Sequence, residues 1–202
     1  MGTTFFLKGL VIGFSIAAPV GPIGILCIRR SIRDGMATGL MAGLGAATAD
    51  AAYGAVAGFG ITAVSGFLIG QRSWIGLVGG AFLCYLGARA FLSKPAEDSA
   101  PEKGVRLLAV YASTLLLTLA NPATILSFVA IFAALGLGAS VNYSAASSLV
   151  LGVFLGSALW WLILSSGASM LRSRVNPAGM RAVNRLSGAL LVGFGIYAFL
   201  RS

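Results

Sequence analysis

The chain has 202 residues, 58% of them hydrophobic and 9% charged, with a mean hydropathy of +0.95. Soluble domains carry about 25% charged residues, so this composition excludes an ordinary soluble domain and points to an all-α polytopic membrane protein. The absence of histidine removes the commonest metal ligand and the usual general base, and two cysteines, Cys27 and Cys84, are too few and too far apart for a disulfide framework or a zinc site.

Six apolar segments follow one another, each near or above the ~20 residues a span needs. The first covers residues 4–28 and reads as a full span, with no basic leader or cleavage site of a secretory signal. Inside it lies Ala18-Pro19-Val20-Gly21-Pro22-Ile23-Gly24. Pro19 and Pro22 each lack an N–H donor, and a proline ring inside a helix clashes with the carbonyl four residues back. Hydrocarbon cannot satisfy the freed carbonyls. Broken backbone is therefore tolerated only under protein cover or beside a wet cavity, which makes this stretch a candidate binding site.

The second segment, 37–69, exceeds one bilayer crossing and must tilt, bend or protrude. It holds Asp50, the one acid of five placed well inside a span; Asp34, Glu97, Asp98 and Glu102 fall in loops. A carboxylate at the bilayer centre costs ~2.5–3.5 kcal/mol on insertion scales and usually faces a cavity or a partner. The neutral acid is a tolerable hydrogen-bond donor, and a bound ammonium group favours the charged form. Asp50 is thus a candidate for substrate or proton coupling. Tyr53, three residues on, shares its helix face. Gly39, Gly43, Ala47, Ala51, Ala55 and Gly58 form a small-residue face, read as packing inside the bundle or at a homodimer contact.

The third segment, 74–92, starts at Trp74, an interfacial position. Residues 93–106, with Lys94, Pro95, Glu97, Asp98, Pro101, Glu102 and Lys103, read as a linker between two three-span halves, 1–92 and 107–202. The fourth segment, 107–137, carries Thr118 and a second interruption, Asn121-Pro122, whose Asn can satisfy a freed carbonyl or bind substrate. The fifth, 143–171, places Trp160 and Trp161 mid-span, where packing is the expectation; the sixth is 182–200.

The halves resemble each other. Gly21-Pro22-Ile23-Gly24-Ile25-Leu26 aligns with Asn121-Pro122-Ala123-Thr124-Ile125-Leu126 at an offset of 100, and Gly80-Ala81-Phe82-Leu83 with Gly188-Ala189-Leu190-Leu191 at 108. An odd number of spans per half makes the repeat inverted, so the two interruptions should meet near the midplane. Half-helix N-termini there favour a carboxylate and exposed carbonyls an ammonium, so a zwitterion suits both. Arg29, Arg30, Arg33, Arg89, Lys94, Lys103, Arg106, Arg172, Arg174, Arg181 and Arg185 sit at the odd-numbered loops, against Lys8, Arg72 and Arg201 on the other side. The positive-inside rule then puts the odd loops in the cytoplasm and both termini outside. The net charge of +9 is accordingly topogenic and directed at anionic lipid, not at nucleic acid. Arg29 and Arg30 are candidates to touch an anionic substrate at the inner mouth.

Gly13-Phe14 leading into Ala18-Pro19-Val20-Gly21-Pro22, the run Gly39, Gly43, Gly45, Asp50, and Asn121-Pro122 together resemble the lysine exporter (LysE-type) family of amino-acid translocators, over nearly the whole chain. The resemblance implies a multi-pass exporter in the cytoplasmic membrane, carrying amino acids or related small metabolites and driven by the proton gradient, with no cofactor. The pathway residues expected are Pro19, Gly21, Pro22, Asp50, Tyr53, Thr118, Asn121 and Pro122. In this chain Val20 precedes Gly21 where the family usually has Pro-Gly-Pro, and Ala123 follows Asn-Pro where the family often has lysine. The alternatives are a metal-ion exporter and a thiol–disulfide electron conduit of similar layout. One buried acid without histidine makes a poor metal shell. Cys27 aligns with Ser127 and not with a second cysteine. An enzyme is not expected, since no base–nucleophile pair appears.

The topology makes a direct prediction. A cysteine introduced at Ser99, in the 93–106 linker, should resist a membrane-impermeant thiol reagent in intact cells and react once the cells are opened. Labelling from outside overturns the orientation.

Overall fold

The computed structural model describes residues 2–19, 21–59, 70–92, 106–121, 124, 128 and 143–201, and among these every regular element is helical. In chain order they are α1 (Gly2–Ala17), α2 (Pro22–Asp34), α3 (Met36–Gly58), α4 (Arg72–Leu92), α5 (Leu107–Leu119), α6 (Tyr143–Met170), a single 3-10 turn (Arg172–Arg174) and α7 (Pro177–Arg201). α6 with its terminal turn and α7 are each long and apolar enough to cross a membrane. α1 and α2, whose axes differ by 80°, make a third such span if they are taken together. The expected segments 60–69 and 93–105, most of 122–137, and Val20 and Pro122 within the two interruptions, lie outside the described residues.

The first connection differs from its expectation. It is not an arginine-bearing loop, because α2 runs on to Asp34 and a single residue, Gly35, turns the chain into α3. Gly35 has φ 95°, a conformation open to glycine at little cost, and its N–H closes on the Ser31 carbonyl at 3.2 Å. Arg29, Arg30 and Arg33 are therefore helical residues, and Arg29 is buried. The last helix starts five residues earlier than expected, at Pro177, a favoured residue for a first helical turn.

Packing follows from the small residues. α1 lies along α6, α3 packs between α5 and α6, and α4 packs on α7. Between α1 and α6 the backbones touch: a β-carbon on Gly9 would strike the Leu149 carbonyl, one on Gly13 the Val153 carbonyl, one on Gly152 the Phe6 carbonyl and one on Gly156 the Leu10 carbonyl. α4 and α7 meet reciprocally and antiparallel. A β-carbon on Gly80 would lie 2.9 Å from the Gly195 carbonyl oxygen and one on Gly188 2.7 Å from that of Gly87. The small face of α3 is used within the chain, Gly43 against Trp161, Gly54 against Val153 and Gly58 against Leu149 and Ala146. Without a hydrophobic force between helices in lipid, such close approach supplies the dispersion contacts that hold them. The core beneath these contacts gathers Ala17, Leu26, Cys27, Ala42, Ala46, Leu117, Trp161 and Leu191.

Several threonine hydroxyls are satisfied within their own helix, whereas the buried Ser31 and Ser165 hydroxyls have no hydrogen-bond partner among the described residues. Thr48 donates to the Leu44 carbonyl (2.9 Å), Thr114 to Val110 (3.0 Å) and Thr118 to Thr114 (2.8 Å), each one turn back.

These contacts predict an asymmetry between glycines of one helix. Gly156→Leu forces α6 off α1 and should destabilise the detergent-solubilised protein by about 1–3 kcal/mol, several degrees of melting temperature. Gly167→Leu, where nothing lies within 4 Å, should leave melting unchanged. Equal melting of the two variants contradicts the packing.

Candidate functional site

The site begins at the junction of α1 and α2. The last α1 carbonyls are only partly used, with Ala18 N–H bonded to the Phe14 carbonyl at 3.0 Å. α2 opens with Pro22 in its first turn, where the missing donor costs nothing. Gly21 caps it with φ −103° and has nothing within 4 Å of where a β-carbon would stand. Its glycine is therefore not demanded by backbone conformation; it leaves space open.

Opposite, α5 stops at Leu119 and the chain turns: Asn121 N–H bonds the Thr118 carbonyl and Thr124 N–H the Asn121 carbonyl, both at 3.1 Å. The carbonyl of Leu119, the last residue of α5, accepts the Tyr53 hydroxyl at 2.6 Å. Tyr53 is thus a cap delivered from α3, one of the two roles, capping a carbonyl or binding substrate, that the sequence left open for Asn121. Its ring lies beside Phe128, with centroids 5.6 Å apart.

Asp50, on α3, is 3% exposed. The Ser157 hydroxyl on α6 donates to Asp50 Oδ2 at 2.7 Å, and the Trp161 indole N–H donates to Ser157 Oγ at 3.1 Å. Spacing of four residues places Ser157 and Trp161 on one face of α6, so an indole, a hydroxyl and a carboxyl form one directed chain.

Both interruptions and the acid line a single cavity of about 70 Å³. Pro19, Gly21, Pro22, Asp50, Thr118 and Asn121, six of the eight residues singled out in the sequence, are brought together there, joined by Ile16, Ile23, Thr124 and Trp161. Tyr53 stands beside the cavity as a cap, and Pro122 lies outside the described residues. Trp161 packs in the core against Gly43, as expected, and in addition lines the cavity; Trp160 packs edge-on to Phe14 at 5.3 Å. Ser157 was missed. It follows Asp50 by 107 residues, within the 100-to-108 offsets of the internal match, and this was the available signal. A water occupies about 30 Å³ in the liquid, and drug-sized ligands need ~300 Å³ or more. At about 70 Å³ the cavity has room for a few waters and not for a drug-sized ligand. Among the described residues no cluster of His, Cys, Asp and Glu could hold a metal.

The family model of the LysE type translocators matches residues 14–202, and the chain belongs to that family. It is 28% identical, over 95% of its length and 93% of the relative's, to the Bacillus subtilis (strain 168) protein named "Putative amino acid efflux protein YcgF". It is 30% identical, over 96% of its length and 94% of the relative's, to the Pseudomonas aeruginosa (strain PAO1) protein named "Uncharacterized membrane protein PA4757". No solved structure matches.

Two substitutions read the site's bonds as stability. Ser157→Ala leaves the buried carboxyl without this donor and should cost about 1–3 kcal/mol, whereas Tyr53→Phe, losing a neutral cap, should cost about 1 kcal/mol. Thermal melting in detergent measures both, and a Ser157→Ala protein as stable as wild type contradicts the bond.

Proposed function

We propose that this LysE-type translocator exports amino acids or related small zwitterions from the cytoplasm, coupled to the proton gradient, across the cytoplasmic membrane. In this reading, six spans form two inverted three-helix repeats, residues 1–92 and 107–202. The first and fourth spans are interrupted at Pro19–Pro22 and Asn121-Pro122, the 93–106 linker is cytoplasmic and both termini are outside. The name of the Bacillus subtilis relative supports amino acid efflux. The reciprocal glycine pairs Gly80–Gly195 and Gly87–Gly188 support the inverted repeat, because exchanging the halves at the 108 offset exchanges one pair for the other.

The observation that carries the mechanism is the carboxyl of Asp50 in the cavity between the two interruptions, held by a hydroxyl and not by a cation. A salt bridge would lock the charged state. A hydroxyl can donate to either the acid or the carboxylate, so Ser157 tolerates both. Asp50 takes an ammonium group or a proton in one state of the carrier and releases it in another. A ligand shifts such an equilibrium only by its differential affinity for the two states, and a site that changes charge supplies it.

Reconstituted vesicles with an imposed proton gradient, assayed with each of the twenty protein amino acids, test this. Wild type should accumulate at least one against its gradient. Asp50→Asn should insert normally, lose accumulation and keep downhill exchange. Gly21→Leu, filling the cavity, should lose both. If Asp50→Asn accumulates substrate at the wild-type rate, Asp50 is structural.

A further inference from the structure

One charged side chain near the site is left over by this mechanism. Arg30 is part-buried on α2, and its hydrogen-bond partners among the described residues are all neutral. Its Nη1 donates to Thr114 Oγ1 at 2.8 Å and more weakly to the Val110 carbonyl at 3.4 Å, and its Nη2 donates to Ser113 Oγ at 3.2 Å. The adjacent acid, Asp34, is occupied by Arg33 at 2.7 Å. A guanidinium is charged at all accessible pH and offers paired N–H groups that fit a carboxylate. Two hydroxyls and a carbonyl are second-rate partners for it, since charge-assisted bonds are about twice as strong as neutral ones.

Its place in the fold is specific. Ile23, Cys27 and Arg30 follow one another at helical spacing on one face of α2. Ile23 lines the cavity, and seven residues of helix span about 10 Å. From the other side, Thr118 lines the same cavity and donates to the carbonyl of Thr114, the residue whose hydroxyl Arg30 holds. Arg30 thus lies two helical turns along α2 from one residue of the cavity wall and is bonded to the residue one turn from another, on the side the proposed topology assigns to the cytoplasm.

We propose that Arg30 is a docking group for the substrate's carboxylate at the cytoplasmic entry, held by Thr114, Ser113 and the Val110 carbonyl while the entry is closed. This rests on the translocator reading above and names the substrate class: a small molecule with an anionic carboxylate as well as an ammonium group. The carboxylate exchanges the neutral partners of Arg30 for a charged, bidentate one, which frees α2 from α5. Asp50 lines the cavity and Arg30 lies outside its lining, so the two contacts are successive, with the carboxylate caught first and the ammonium received deeper in.

The test uses inside-out membrane vesicles carrying the full chain. Uptake is measured for the twenty protein amino acids and, for each one transported, for its carboxamide, which has the same shape without the negative charge. Wild type should prefer the acid by about tenfold or more in KM. Arg30→Gln should raise KM for the acid by about that factor and leave the carboxamide's KM unchanged, so the preference collapses. Arg30→Lys, which keeps charge and loses the paired N–H groups, should be intermediate, and it carries the comparison if the glutamine variant does not accumulate. If Arg30→Gln slows acid and carboxamide equally, Arg30 is a structural clamp and the inference is wrong while the translocator reading stands. If wild type takes up none of the twenty, the amino-acid reading fails and this inference with it.

Discussion

A helix end leaves carbonyls without intrahelical partners, and the described structure packs closely around two such ends. α1 stops at Ala17 and α5 at Leu119. The cover comes from α3 and α6, the two helices that pack most widely on the others. α3 supplies the Tyr53 hydroxyl to the Leu119 carbonyl. To stand that close, the covering helices need backbones that approach without intervening side chains, and the glycines of α1, α3 and α6 provide it. The stripes of small residues and the interruptions are therefore parts of one solution.

The energetics at Asp50 follow from the same cover. Placing a carboxyl at depth costs ~2.5–3.5 kcal/mol, and a hydrogen bond to a charged group returns ~1.5–3 kcal/mol. Ser157 therefore offsets most of the cost without adding a charge. Trp161 in turn orients Ser157 by donating to its oxygen, which leaves the hydroxyl proton directed at Asp50. The indole matters here as a donor on an otherwise apolar face and also as the surface that Gly43 was kept small to meet.

Much of this was legible in the sequence because the membrane writes strong constraints. Prolines in an apolar run, one acid among spans and glycines at helical spacing each have few explanations in lipid. They led to six of the residues that line the cavity. Ser157 and the cavity role of Trp161 were not legible in the same way. Serine is cheap in a membrane helix, since it can bond its own backbone one turn back, so apart from its offset from Asp50 its presence carries no signal until its partner on another helix is known. The capping by Tyr53 was hidden for a related reason. The sequence placed it on the face of Asp50 but could not say that the α5 end would lie across from it. Arg29 and Arg30 were assigned to a loop because charge was read as a helix stop, whereas α2 continues through them and uses their long stems to reach α7 and α5.

That last difference changes how the basic residues of the first connection work. A topogenic arginine needs only to stay on the cytoplasmic side, and an exposed one satisfies that. Arg33 is of this kind, lying at the surface beside Asp34. Arg29 reaches Asn184 on α7 at 3.0 Å, and Arg30 reaches Ser113 and Thr114 on α5. Both bonds join the first half of the chain to the second. Burying a guanidinium is costly unless its donors are used, so α2 cannot move away from α5 or α7 without new partners for these groups, water or a ligand. The 80° bend at Pro19–Pro22 separates α2 from α1, which is fastened along α6 by backbone contact. α2 is therefore held by its buried apolar face and, on the side of α5 and α7, by polar bonds, and polar bonds, unlike interlocked backbones, can pass from one partner to another.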